Sequence, residues 1–97
     1  MKALLGLARK AGKIYSGESQ VEALLKKQKG NLIIIAKDSQ GALTKFEKWS
    51  QDLKIPIIIA GSKEELGLSL GMSPRAVVLI DDKGFAEAII KERDHTS

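Results

Sequence analysis

The run LIIIA at residues 32–36, with three consecutive isoleucines, decides the fold class. Two similar runs follow, IPIIIA at 55–60 and AVVLI at 76–80. A strand with one wet face alternates apolar and polar residues, so continuous β-branched runs of this length predict strands covered on both faces. Helices must then lie on both sides of the sheet, and the intervening segments supply them. Leu4, Leu7, Ala8 and Ala11 recur at i, i+3, i+4, i+7, with Gly12 placed to stop that helix. Val21, Leu24 and Leu25 mark a second helix, and Leu43, Phe46, Trp49 and Leu53 a third, which makes Trp49 a core or half-core residue rather than a base-stacking platform. Ser62 and Glu65 form a capping box opening a short fourth helix that ends at Gly71. Phe85, Ile89 and Ile90, with Arg93 beyond them, predict a last helix running into a polar tail, Asp94 to Ser97. Lys13-Ile14-Tyr15 can add one short strand.

The order is α-β-α-β-α-β-α-β-α across residues 1–97, a single α/β domain without linker, repeat or low-complexity segment. Such alternation favours parallel neighbours and admits a mixed sheet; strand order stays open. No apolar run approaches the roughly 20 residues a bilayer crossing requires, and the N-terminal MKALLGLARKAGK lacks a signal peptide's sustained apolar region. The expected location is cytoplasmic.

Chemistry narrows quickly. With no cysteine, disulfides, thiolate catalysis and thiolate-bound zinc are excluded, and one histidine, His95, cannot build a histidine metal cluster or a hydrolytic triad. The Gly6 to Gly12-Lys13 spacing is one residue too long for a phosphate loop, Ile14 replaces the required hydroxyl residue, and the preceding segment reads as helix. No G-x-G-x-x-G is present. Asp38 and Asp81-Asp82 follow strands, where carboxylates can gather magnesium or accept phosphoryl groups, but a phosphoacceptor domain would begin with a strand and carry its acid pair after the first. Turn and helix-start duty is their simpler reading. No catalytic residue, metal or cofactor is expected.

The net charge is +4, and its distribution is uneven: residues 1–29 carry seven Lys or Arg against two acids, whereas residues 30–97 carry nine against ten. This excess points to an anionic partner, although surface lysine is also ordinary. Gly17 permits close backbone approach, and the helix starting there directs free amides outward. Ser19 and Gln20 lie in its first turn, and Lys27 follows two turns on along the side of Gln20 and Ala23. Four aromatic residues are too few for a binder that stacks successive bases, so structured RNA fits better than single strands.

Several of these residues stand in a familiar order: Leu5-Gly6-Leu7-Ala8, Ala11-Gly12-Lys13 and Gly17-Glu18, then Leu32 to Asp38, Ile55-Pro56, Leu66-Gly67 with Gly71, and Gly84-Phe85-Ala86. Over nearly its full length the chain resembles the kink-turn-binding ribosomal proteins of the L7Ae/L30e type, most closely their small bacterial YlxQ-like branch. The resemblance implies a three-layer α/β/α sandwich with a mixed four-stranded sheet, and a noncatalytic, ribosomal or ribosome-associated RNA binder, monomeric by default. By matching positions it implies that Gly17 allows the approach, that Ser19 and Gln20 read the guanines of sheared G·A pairs, and that Ala23 stands where a lysine is usual. Lys37 and Asp38 occupy the adjoining strand-end loop, and Met72-Ser73-Pro74-Arg75 the loop that packs on the extruded nucleotide. Around this site Lys26, Lys27 or Arg75 can compensate for the missing cation at Ala23, Arg75 being otherwise a strand-entry surface residue, and Lys13 either adds phosphate attraction or only flanks the end of the first helix. Ala23 and the short Ser19 depart from the pattern, and Glu18 favours the helix dipole while opposing phosphate. The alternative is an interaction module in translation that has lost specific RNA binding.

Overall fold

In the computed structural model, which describes residues 2–96 and the side chains of 2–93, nine elements follow in the expected order. They are α1 (Lys2–Lys10), β1 (Ile14–Ser16), α2 (Glu18–Lys26), β2 (Leu32–Ile35), α3 (Gln40–Leu53), β3 (Ile57–Ile59), α4 (Lys63–Ser69), β4 (Val77–Ile80) and α5 (Lys83–Thr96). The backbone of α5 continues through the segment read as a tail; Ser97 and the His95 side chain lie outside the described residues. No described helix is long and apolar enough to cross a membrane.

The four strands form one mixed sheet in the order β1-β4-β2-β3. Parallel pairing, which the alternation favoured, holds only for β2 with β3, while β4 runs antiparallel to both β1 and β2. The cause is the short α4 segment. The Arg75 amide donates to the Lys63 carbonyl at 3.0 Å, so the connection leaves and re-enters the sheet at one rim, and β4 must run back against its neighbours.

Every residue of β2 and β4 is buried, as uninterrupted apolar runs require. Alternate side chains enter opposite layers. Ile34, Val78 and Ile80 meet Leu5 of α1, Leu66 of α4, Leu70 at its C-cap and Ile89 of α5. Ile33, Ile35, Val77 and Leu79 meet Val21 and Leu25 of α2 and Phe46 of α3, with half-buried Trp49 packed alongside. The result is the three-layer α/β/α sandwich.

One helix face differs from its periodic reading. In α1 the buried side chains are Leu5 and Ala8, with Leu4 half-buried; Leu7 is 54% exposed and Ala11 is exposed. With leucine at 4, 5 and 7, two overlapping stripes satisfy the same period, and docking on the sheet selects the one centred on Leu5. Gly12 ends α1 as expected. At φ 71° its amide donates to Arg9 and that of Lys13 to Ala8, the paired bonds of a Schellman cap.

Candidate nucleic-acid interface

Three loops and one helix start converge on the rim where β1, β2 and β3 end and β4 begins. Ser16 closes β1, and Gly17 turns the chain into α2 with its amide bonded to the Val77 carbonyl at 3.1 Å. Its φ of 92° and ψ of 143° lie where side chains are strongly disfavoured, and no atom lies within 4 Å of where a Cβ would stand, so the glycine surface is open. No side chain caps α2. The amides of its first turn and the positive end of its dipole are therefore available to an acceptor.

Ser19, Gln20 and Ala23 are exposed along this helix start. The Gln20 Oε1 accepts from the Ser16 amide at 3.3 Å, which leaves the side-chain NH2 as the donor for a partner. Across the rim stands the loop from Gly71 to Ala76. Arg75 orders it: Nε donates to Ser16 Oγ at 3.1 Å, and Nη1 donates to Ser73 Oγ at 2.8 Å and to the Pro74 carbonyl at 3.2 Å. The Ser16 hydroxyl in turn donates to Met72 Sδ at 3.6 Å. Arg75 is thus half-buried and ties the β1–α2 turn to the loop, beyond the surface role its position at a strand entry suggests.

The third part of the rim is Ala36 to Asp38. The Ala36 amide donates to the Ala76 carbonyl, and that of Lys37 to Gly61, which brings the loop against its neighbours. Asp38 Oδ1 accepts from the Lys63 amide at 2.9 Å and so caps α4. Asp82 does the same for α5, its Oδ2 accepting from the Phe85 amide at 2.8 Å. Both carboxylates serve helix starts. Among the described residues no cluster of three potential metal ligands occurs.

Lys13 and Lys27 do not join this site. The Lys13 carbonyl accepts from the Asp81 amide, which puts Lys13 at the opposite rim, where β4 ends. Lys27 is the C-cap of α2, about 10 Å along the axis from Gln20 at 1.5 Å per residue. Lys26 lies 3.5 Å from Glu22 in an i,i+4 pair. Chain proximity to Gly17 is therefore not spatial proximity, since α2 carries its trailing lysines away from its start. Glu18 and Glu22 instead face Lys45 of α3, at 3.8 and 2.8 Å. The hydrogen bond and charge of Lys45 hold the Glu22 carboxyl below its ordinary range, and Glu22 raises Lys45.

Ser16 and Arg9 also shape this rim and escaped the sequence reading, and Gly67, which stood there only among the residues of the family resemblance, shapes it too. Ser16 joins Met72 and Arg75 of the loop to Gln20 of α2, and Arg9 Nη1 lies 3.0 Å from where a Cβ on Gly71 would stand. A Cβ on Gly67 would fall 2.3 Å from the Ser73 carbonyl oxygen. Glycine inside a helical pattern is the signal that could have found Gly67.

The sequence pattern of the Ribosomal protein L7Ae/L30e/S12e/Gadd45 family matches residues 1–90. The chain belongs to that family. An RNA-binding protein YlxQ of Bacillus subtilis (strain 168) is 34% identical over 92 residues, 94% of this chain and 92% of that protein. The YlxQ protein of Enterococcus faecium is 33% identical, covering 87% and 82%. Among solved structures, a Bacillus halodurans protein superposes with a TM-score of 0.90 at 28% identity, covering 96% and 95% of the two chains. The Giardia lamblia 15.5kD RNA binding protein superposes at 0.75 over 99% of this chain and 86% of its own, with 23% identity, a likeness of fold. All four strands and every residue of the rim lie within the span matched to the L7Ae/L30e/S12e/Gadd45 family.

Proposed function

We propose that this chain binds structured RNA without catalysis and that its target is a kink-turn, as a monomer associated with the ribosome. The observation that carries the reading is the uncapped start of α2 behind the open Gly17, set beside a loop held in place by Arg75. Membership in the L7Ae/L30e/S12e/Gadd45 family and relatives named RNA-binding proteins support it. Gly17 lets a base edge reach the first-turn amides, and Ser19 and Gln20 supply side-chain donors there. Lys37 meets phosphate, and the Met72–Arg75 loop packs against an unstacked nucleotide. Arg75 acts by positioning that loop and the turn before α2.

A second reading, an interaction module in translation with weak or lost RNA specificity, draws on Ala23. It is exposed beside Gln20 but carries no charge, while the next lysine along the helix is paired with Glu22. Titrating a kink-turn RNA and a matched straight duplex at two salt concentrations separates the readings. Binding should favour the kinked RNA, Gln20→Ala should lose about 1–3 kcal/mol of that preference, and Ala23→Lys should steepen the salt slope by about one. Equal, weak and salt-sensitive binding to both RNAs, unchanged by Gln20→Ala, would instead select the interaction module.

A further inference from the structure

The basic excess of the first 29 residues lies mainly on the rim opposite Gly17. Lys10 ends α1, Lys13 precedes β1, and Lys27 and Lys29 close α2, so both helical layers and the sheet between them contribute. Lys13 and Asn31 flank the end of β4 from its two sides, the first through the Asp81 amide and the second through the Ile80 carbonyl. Two strand spacings set them about 10 Å apart. All four lysines are exposed, and among the described residues none is in an ion pair. Nearby carboxylates are Asp81, half-buried beside Lys13, Asp82, which caps α5, and Asp52 near the end of α3.

Lysines often sit at helix ends to satisfy terminal carbonyls. Here that work is already done by backbone: the carbonyls of Ala8 and Arg9 accept from Lys13 and Gly12, and those of Leu24 and Leu25 accept from Lys29 and Gln28. The second of these caps forces Gln28 to a φ of 59°, a conformation that glycine would adopt more readily. The ammonium groups are left for an outside anion. The helix start at this rim, that of α5, is capped by Asp82, and ammonium groups on long stems suit backbone phosphate contact without sequence recognition.

We infer that this rim is a second RNA surface, taking the phosphates of a duplex segment while the Gly17 rim holds the kinked one. The inference rests on the RNA-binding reading above, and it makes the protein a clamp between two RNA elements. The test begins with the protein saturated by a minimal kink-turn RNA, into which a separately labelled straight duplex RNA is titrated at several salt concentrations. A ternary complex should form and weaken steeply with salt, since each neutralised phosphate contributes about 0.9 to the slope. Replacing Lys10, Lys13, Lys27 and Lys29 together by Gln should weaken duplex binding at least about tenfold and flatten that slope, with kink-turn affinity changed by less than about twofold. The matching Arg variant should retain the duplex. Gln20→Ala should do the reverse, lowering kink-turn preference and sparing the duplex. Absence of a ternary complex, or a Gln variant that folds and binds duplex like the parent, would overturn the inference. Loss of kink-turn preference with duplex binding still dependent on these lysines would overturn the kink-turn assignment alone.

Discussion

At the scale of single residues, the rim depends on two glycines for different reasons. Gly17 is needed for its backbone angles, because nothing stands near its missing side chain; Gly67 is needed for space, because the Ser73 carbonyl lies against it. Gly6 serves as the contrast, a helical glycine with no atom within 4 Å of a Cβ. Alanine at an open helical site gains about 1 kcal/mol of helix propensity. Gly6→Ala should therefore raise the urea midpoint. At Gly67 the same gain meets a clash with backbone, and overpacking of this kind costs about 1–3 kcal/mol, so Gly67→Ala should lower the midpoint and weaken kink-turn binding as the loop shifts. Equal midpoint gains in the two variants would remove the packing role assigned to Gly67. Ser16 illustrates why such residues are hard to read in sequence: a serine at a strand end has many uses, and only the fold brings Arg75 to its hydroxyl, 59 positions along the chain.

At the scale of elements, the caps were more legible than the faces. The capping box at Ser62 is present in both halves, the Ser62 Oγ accepting from the Glu65 amide at 3.1 Å and Glu65 Oε1 from the Ser62 amide at 3.0 Å. Its signal is local, four residues whose bonds all lie within one turn. The buried face of α1 was not legible, because it depends on which leucine the sheet accepts. The antiparallel direction of β4 was hidden too, since it depends on the α4 segment turning back to the same rim, where the Arg75 amide bonds the Lys63 carbonyl. The cap also predicts an acid response. Hydrogen bonds from Ser62, foremost its backbone amide, hold the Glu65 carboxyl below its ordinary pKa. A carboxyl whose pKa is lower folded than unfolded stabilises the fold above the unfolded value, about 4.3, and that contribution disappears as pH falls through the folded value. Glu65→Gln should therefore be less stable than the parent near neutrality and should converge on it in acid below the folded pKa, as read by urea midpoints across pH. A gap that stays constant down to acid pH would assign the role of Glu65 to shape rather than charge.

At the scale of the whole molecule, one sheet serves two cores and two rims. The continuous runs made both covered faces legible, and the glycine before α2 made one rim legible; the other was not, because charge clusters in sequence say nothing about which end of a helix they reach. The shared sheet implies that the helical layers stand or fall together. Leu25 in the α2–α3 layer and Ile89 in the α1–α4–α5 layer are both fully buried, yet their side chains enter different cores. Replacing either by Ala should cost about 2–5 kcal/mol, a large part of the roughly 5–15 kcal/mol that holds a domain of this size. Trp49 packs only with the Leu25 layer, so its fluorescence follows that side of the sheet, whereas far-UV circular dichroism follows all five helices. If β2 and β4 bind the layers into one cooperative unit, Ile89→Ala should lower both midpoints equally, although no contact of Trp49 has been touched. The two substitutions combined should cost close to their sum, because residues on opposite sides of the sheet share no cavity. A Trp49 transition that stays in place while the dichroism midpoint falls would show the layers unfolding separately. The Gly17 rim, assembled from loops that β1, β2, β3 and β4 hold in common, would then survive only as far as its own layer does.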